Sequence, residues 1–280
     1  MTRLIRSFLA LCAIAALTSC SGGDLSSPRI YIFDNGMISG LDPALFNFSP
    51  DELASVDLVN ISYLVVHPDG TLMFDSGAVP DSAFEESAGG LVTEGVMSAT
   101  MPLRPQIEAA GYRPEDIDFF AMSHYHSDHT ANANMFANST WIVQRAEYDW
   151  MMAEEPEGII NAGSYSALRD ADKIILNNED HDVFGDGTVV IMTTPGHTPG
   201  HQVVAVALED YGPVILGGDL YHYPEEITTG RIPTFEWNAD ASRSSRARVQ
   251  SFMEQTGSTL WIEHDMPTHA ALPKSPDYVD

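Results

Sequence analysis

Residues 123 to 129 read Ser-His-Tyr-His-Ser-Asp-His, which packs three imidazoles and a carboxylate into the six positions from His124 to His129. The apolar run 117–122 precedes them and has the length and composition of a buried strand. Side chains alternate along extended backbone, so His124 and His126 fall on one side, and a turn can then swing Asp128 and His129 towards a second point. Each imidazole carries two polar nitrogens, and three of them are hard to bury together unless something satisfies their lone pairs. Neutral imidazole is also the commonest side-chain ligand of borderline metals. The cluster reads as a metal site at the end of a core strand; the alternatives are a solvated His-rich loop or an adventitious metal site.

Any such metal must rest on imidazole and carboxylate. The two cysteines, Cys12 and Cys20, both fall in the first 20 residues, where Arg3 and Arg6 make a basic start, 8–17 is an apolar run, and Leu17-Thr18-Ser19-Cys20 ends the segment. The run is too short for a permanent membrane span and reads as a secretory signal, 1–20. Its ending resembles the bacterial lipobox, which implies that Cys20 becomes a lipidated first residue. The polar stretch 21–28 would then be a flexible tether, and acyl chains would hold the domain on a membrane surface. The expectation is an exported protein, lipid-anchored to a bacterial membrane and facing the periplasm or the cell surface; a secreted or soluble periplasmic protein is the alternative. Without the leader no thiol remains, which removes disulfides, thiolate ligands and thiol catalysis. The formal charge of −27 becomes −29 when Arg3 and Arg6 are lost. Such a surface repels polyanions, so nucleic acid is excluded as a partner.

The rest, 29–280, is expected to form one catalytic domain, a length that can bury a full core. Strands are expected at 29–33, 61–66, 71–74, 117–122, 141–144, 173–176, 189–194, 202–208, 214–216 and 259–263, with a hairpin turn at His67-Pro68-Asp69-Gly70. Helices are expected at 102–110, 146–152 and 241–255, the last with Arg243, Arg246 and Arg248 at polar positions. Residues 78–100 lack periodicity and read as a long loop or lid. His67, His181 and His269 read as solvated surface residues. Strand pairs mixed with single helices suggest two packed sheets with helices outside. No apolar stripe stands apart from the core pattern, so the oligomeric state stays open.

His-X-His-X-Asp-His after a strand resembles the signature of the metallo-β-lactamase superfamily, and three further motifs follow in that family's order. Thr194-Pro195-Gly196-His197-Thr198-Pro199-Gly200-His201 resembles the second, Gly217-Gly218-Asp219 the third and Glu263-His264-Asp265 the last. The resemblance spans nearly all of the chain after residue 29. It implies an α/β architecture, the αββα four-layer sandwich of two mixed β-sheets flanked by helices. It further implies that His124, His126 and His197 hold one divalent metal ion, that Asp128, His129 and His264 hold a second, and that Asp219 bridges them. Zinc suits these donors, and so do iron, cobalt and manganese. Two such ions acidify a shared water and polarise a carbonyl. Asp128 becomes a candidate to carry a proton to the leaving oxygen. His201 and Asp75 are expected behind the ligands, as hydrogen-bonding support.

Within the superfamily, 142–148 (Ile-Val-Gln-Arg-Ala-Glu-Tyr) and 194–202 are similar to the N-acyl-homoserine lactone hydrolases. That resemblance implies ring-opening of a small neutral lactone or ester, and so the quenching of quorum signals. The lactonases place a tyrosine three residues after the bridging Asp, where its hydroxyl can bind the carbonyl or the oxyanion; this chain has His222, flanked by Tyr221 and Tyr223. Either a shift in the turn restores a phenol or His222 donates the hydrogen bond itself, with pocket lining as the plainer role for all three. The loop 130–134 also lacks the family's Ala-Gly-Gly run. Two other readings stay open: a related hydrolase of a thioester, β-lactam or phosphotriester, and a metal-binding surface lipoprotein without activity.

Overall fold

The computed structural model describes residues 25–280 apart from 86, 88, 89 and 157. The leader, Cys20 and the first half of the tether lie outside the described residues. The first sheet contains β1 (Arg29–Ile38), β2 (Leu58–His67), β3 (Gly70–Phe74), β4 (Val92–Glu94), β5 (Met97–Ala99), β6 (Phe119–Ala121), β7 (Thr140–Gln144) and β8 (Lys173–Leu176), in the order β4-β5-β1-β2-β3-β6-β7-β8. The second contains β9 (His181–Asp182), β10 (Val189–Thr193), β11 (Gln202–Ala207), β12 (Pro213–Leu216) and β13 (Thr259–Trp261), in the order β13-β12-β11-β10-β9. A last strand, β14 (Tyr278–Val279), returns to pair with β1. Both sheets are mixed: β3, β6, β7 and β8 run parallel to one another, and β12 and β13 are parallel in a sheet that is otherwise antiparallel. Among the described residues the helices are α1 (Ser82–Glu85), α2 (Leu103–Ala109), α3 (Ser127–Thr130), α4 (Arg145–Met151), α5 (Pro224–Thr229), α6 (Ala239–Thr256) and α7 (Met266–Ala271).

Period-two alternation decides which layer each strand residue enters. On β1, Ile30 and Ile32 face the second sheet and meet Val189, Ile191, Val204 and Leu216, while Tyr31 and Phe33 face outward onto Leu103 and Ile107 of α2. The outer face of the second sheet, with Met192, Val203 and Ile215, is closed by Val249 of α6. The result is helix, sheet, sheet, helix, the αββα sandwich that the motifs implied. Strands buried on both faces read as unbroken apolar runs, which is why most were visible in the sequence.

Several expectations need correction. Residues 78–100 are not a structureless loop: β4 and β5 form a hairpin that extends the first sheet, with Met37 opposite Ser98 and Ile38 opposite Met97. Three-residue strands are too short to show alternation. Gly36 admits this edge, because a Cβ there would stand 1.9 Å from the Ser98 carbonyl oxygen. His67 is buried rather than solvated, stacked on Phe184 with its Nε2 3.0 Å from Asp186 Oδ2. His269 is buried too, donating from Nε2 to the Ile262 carbonyl at 3.0 Å. Arg246, placed at a polar helix position by its charge, is buried beneath the second sheet.

Candidate metal centre

The seven predicted donors gather at one edge, where strands of both sheets end. His124 and His126 follow β6, Asp128 and His129 lie in α3, His197 lies between β10 and β11, Asp219 follows β12, and His264 follows β13. Asp75, past the end of β3 in a left-handed conformation (φ 61°), accepts the Ser123 N–H at 2.7 Å and so ties two strand ends together. Gly218 (φ 45°) lets the Asp219 turn come close: a Cβ there would lie 2.4 Å from Ser123 Cβ.

The donor atoms form two groups around one carboxylate. In the first, His124 Nε2 and His126 Nδ1 are 2.8 Å apart, and His197 Nε2 lies 3.1 and 3.0 Å from them. Asp219 Oδ2 completes it at 3.2 Å from His197 and 3.7 Å from His124. In the second, Asp219 Oδ1 lies 2.9 Å from His264 Nε2 and 3.2 Å from His129 Nε2, with Asp128 Oδ2 3.4 Å from His129 and 3.8 Å from His264. Donors about 2 Å from a tetrahedral ion stand roughly 3.3 Å apart, which these separations bracket.

The protonation chemistry fits two cations. Burial, with the neighbouring His129, holds the His124 imidazole well below its ordinary range; burial, with His197, brings His126 down to about 3. Both rings are thereby held neutral, the form that can offer a lone pair to a metal ion. Burial would also depress His129, but Glu263, Asp128, Asp219 and Asp75 outweigh it and push that ring well above the usual range. Burial favours the protonated form of Asp219, yet His264, His129 and His222 overcome it and keep the carboxylate ionised. His129 Nε2 and Asp219 Oδ1 are buried without a hydrogen-bond partner. Such atoms are costly unless something occupies the space between them, and a divalent ion in the second group would satisfy both.

Behind the donors stands a layer that fixes each ring, as second partners of metal-ligating histidines usually do. His264 Nδ1 donates to the Val59 carbonyl at 2.7 Å, and His197 Nδ1 to Glu236 Oε1 at 3.1 Å. His129 Nδ1 faces Asp75 Oδ2 and Glu263 Oε1, each at 3.2 Å. His201 takes the supporting place expected of it, accepting the Asp219 N–H at 3.1 Å while its Nδ1 lies 2.9 Å from Thr194 Oγ1. Glu236 and Glu147 escaped sequence reasoning as functional residues. Glu236 is a lone acid in a loop and carried no signal; Glu147 lay inside a quoted motif without a role.

The aromatic trio after Asp219 divides. Tyr221 and Tyr223 both have extended backbone (φ −143° and −127°), so residue 222 faces the opposite way. His222 enters the site, with Nε2 3.1 Å from Asp219 Oδ2. Burial opposes its protonation, but Asp219 and then Glu226 outweigh that and lift it to about 10. Tyr221 instead packs under the Arg246 guanidinium, 4.2 Å from the ring centre. Tyr223 donates to the Val56 carbonyl at 3.1 Å and packs on Phe46. Neither phenol reaches the site, which corrects the expectation that one of them could act there. Above the donors opens a cavity of about 150 Å³ whose floor includes His126, Asp128, Asp219, His222 and His264, and whose walls are apolar, with Ile38, Phe46, Leu58, Met97, Ile159 and Phe235.

Fold and site together define an αββα protein with a two-ion centre at the edge of its sheets. Residues 57–253 match the family described as the metallo-beta-lactamase superfamily, and the chain belongs to that family. It is 32% identical over 232 residues to the N-acyl homoserine lactonase AttM of Rhizobium radiobacter, covering 77% of this chain and 85% of that protein. It is 29% identical over 242 residues to an N-acyl homoserine lactonase of a Bacillus species, covering 82% and 90%. In fold it is similar to the crystal structure of a quorum-quenching N-acyl homoserine lactone hydrolase (TM-score 0.73, 23% identity, 92% of this chain and 100% of that one). It also resembles AidC, described as a dizinc quorum-quenching lactonase (TM-score 0.60, 18% identity, 86% and 88%).

Proposed function

We propose that this protein is a dinuclear metal-dependent hydrolase that opens the lactone ring of N-acyl-homoserine lactones. The observation that carries the reading is the Asp219 carboxylate shared between two donor groups on the floor of an apolar cavity. In this reading His124, His126 and His197 hold one divalent ion, Asp128, His129 and His264 the other, and Asp219 both, with zinc the ion these nitrogen and carboxylate donors suit best. Bound there, the pair supplies Lewis-acid polarisation of the lactone carbonyl and a water acidified towards neutral pH. With Asp219 engaged by the ions, His222 Nε2, which faces that carboxylate at 3.1 Å, would be free to donate to the carbonyl oxygen as negative charge grows on it. Asp128 has a side chain 16% exposed, whereas that of Asp219 is 5% exposed. It is therefore the carboxylate placed to pass a proton to the ring oxygen as the carbon–oxygen bond breaks. The apolar walls exclude water and receive the acyl chain. A neutral substrate suits a chain of formal charge −27. The lactonase relatives support the same substrate class.

The test is a rate panel on the metal-loaded protein: acyl-homoserine lactones of several chain lengths, a thioester, nitrocefin and paraoxon, with Asp219→Ala as control. Lactone opening is expected to dominate. Turnover of another member with no lactone opened would sink the reading. The leader further supports export and anchoring through a lipid on Cys20; loss of membrane association in Cys20→Ser is the expected result, and an unchanged distribution contradicts it.

A further inference from the structure

Glu147 is a buried carboxylate, 3% exposed, that projects from α4 and is held by neutral donors. It accepts the Tyr125 N–H at 2.7 Å, the Gly200 N–H at 2.9 Å and the Thr198 hydroxyl at 2.9 and 3.1 Å. Tyr125 lies between His124 and His126, and Thr198 adjoins His197. These three rings come from segments rooted in different sheets, one after β6 and one between β10 and β11. The second segment is seated directly on α4, since a Cβ at Gly200 would lie 2.6 Å from the Glu147 Cβ and backbone nitrogen. Burying a carboxylate is unfavourable unless hydrogen bonds compensate, and desolvation lifts this one to about 7. A methylene or an apolar side chain would fill the space at lower cost, yet it would leave two backbone N–H groups and a hydroxyl without an acceptor.

We propose that Glu147 is a positioning residue for the three-imidazole group: by accepting from both segments at once it fixes His124 and His126 against His197, and so sets how tightly that group alone retains its ion. The proposal rests on the two-ion reading and is independent of the substrate. Glu147→Gln keeps size and shape, but its amide nitrogen cannot accept, so one segment loses its anchor.

The experiment loads the full protein with Co²⁺, titrates with a chelator, and follows the two equivalents by absorption and by metal analysis after dialysis. Wild type is expected to release two resolvable equivalents. In Glu147→Gln one equivalent should leave at about tenfold lower chelator or less, the other unchanged, the scale expected when a partner behind a ligand is lost. Ser139→Ala, which removes a buried hydrogen bond to the Ile117 carbonyl elsewhere in the first sheet, controls for lost stability and should release both equivalents as wild type does. If Glu147→Gln fails to fold, Thr198→Val removes one donor from the same carboxylate and should shift the same equivalent by less. Equal loosening of both ions, or of neither, overturns the proposal. A wild type that holds fewer than two ions would instead overturn the two-ion reading.

Discussion

His124 and His126 sit in the half of the centre where burial holds the rings neutral, whereas His129 sits in the half where carboxylates favour its protonated form. In the first group those two rings meet an ion already neutral. The second must release a proton when its ion binds, so its affinity climbs with pH. The halves also differ in what stands behind them. Behind the first, neutral donors converge on Glu147 and one carboxylate, Glu236, accepts from His197 Nδ1; behind the second, two carboxylates, Asp75 and Glu263, converge on His129 Nδ1. Similar donors thus give one group with a single carboxylate behind its rings and another with two on one ring, and Asp219 is the residue common to both.

That shared place makes Asp219 the point at which the comparison breaks most completely. Asp219→Ala removes a donor from both groups and leaves His264 and His129 facing an uncompensated gap. Lactone kcat/KM is expected to fall by about a thousandfold or more, since one transition-state donor alone is worth roughly a hundred- to thousandfold. Metal analysis should show both equivalents weakened. Retention of one ion at wild-type strength would mean that the carboxylate serves a single group.

A second effect separates the halves by pH. Glu147 rises from 4.5 to about 7 on folding. Between those values the native state binds the proton that the unfolded chain has released, so stability falls as pH rises. For the metal-free protein this contributes a loss of about 3 kcal/mol from pH 4.5 to 7, at 1.36 kcal/mol per unit. Denaturant unfolding of Glu147→Gln in the presence of chelator should show a correspondingly flatter profile over that window. An identical slope in wild type and variant would show that the carboxylate is not desolvated as its surroundings imply.

The donors were legible in the sequence because each lies in a short local motif at a strand end, where chain order preserves the spacing that the chemistry needs. Glu147 and Glu236 behind them were not, because they are single residues brought in from afar. Glu147 meets Gly200 across 53 positions, and Glu236 meets His197 across 39. The outward turn of Tyr221 and Tyr223 follows from alternation: extended backbone alternates, so a histidine facing the site turns both neighbours away. Short elements failed for a different reason. β4 and β5 have too few residues for a period to show, whereas α5 and α7, also short, are marked only by a proline in the first turn.

His222 tests whether the floor beyond the two groups acts on the substrate or only lines the cavity. His222→Phe keeps a flat ring among Phe46, Phe235 and His264 but removes the donor. With metal content unchanged, kcat is expected to fall by roughly ten- to a hundredfold with little change in KM, as for an interaction made mainly in the transition state. A rise in KM alone would assign the ring to binding.

The smallest expected effect is at Glu263. Burial, reinforced by Asp75, raises this carboxyl well above the ordinary range despite the opposing pull of His129. It is fully buried, and neither oxygen has a hydrogen-bond partner. A carboxyl raised in this way holds its charge less readily than an ordinary glutamate, so Glu263→Gln, which keeps the shape, costs less than the loss of a fully ionised partner. Asp75, anchored by the Ser123 N–H, remains as a carboxylate 3.2 Å from His129 Nδ1. Metal retention and lactone kcat/KM should therefore stay within about threefold of wild type, well short of the ten- to hundredfold that follows when a true ligand partner is lost. A tenfold loss of the second ion would show that Glu263 carries charge once the centre is filled, so that two carboxylates rather than one hold His129 in place.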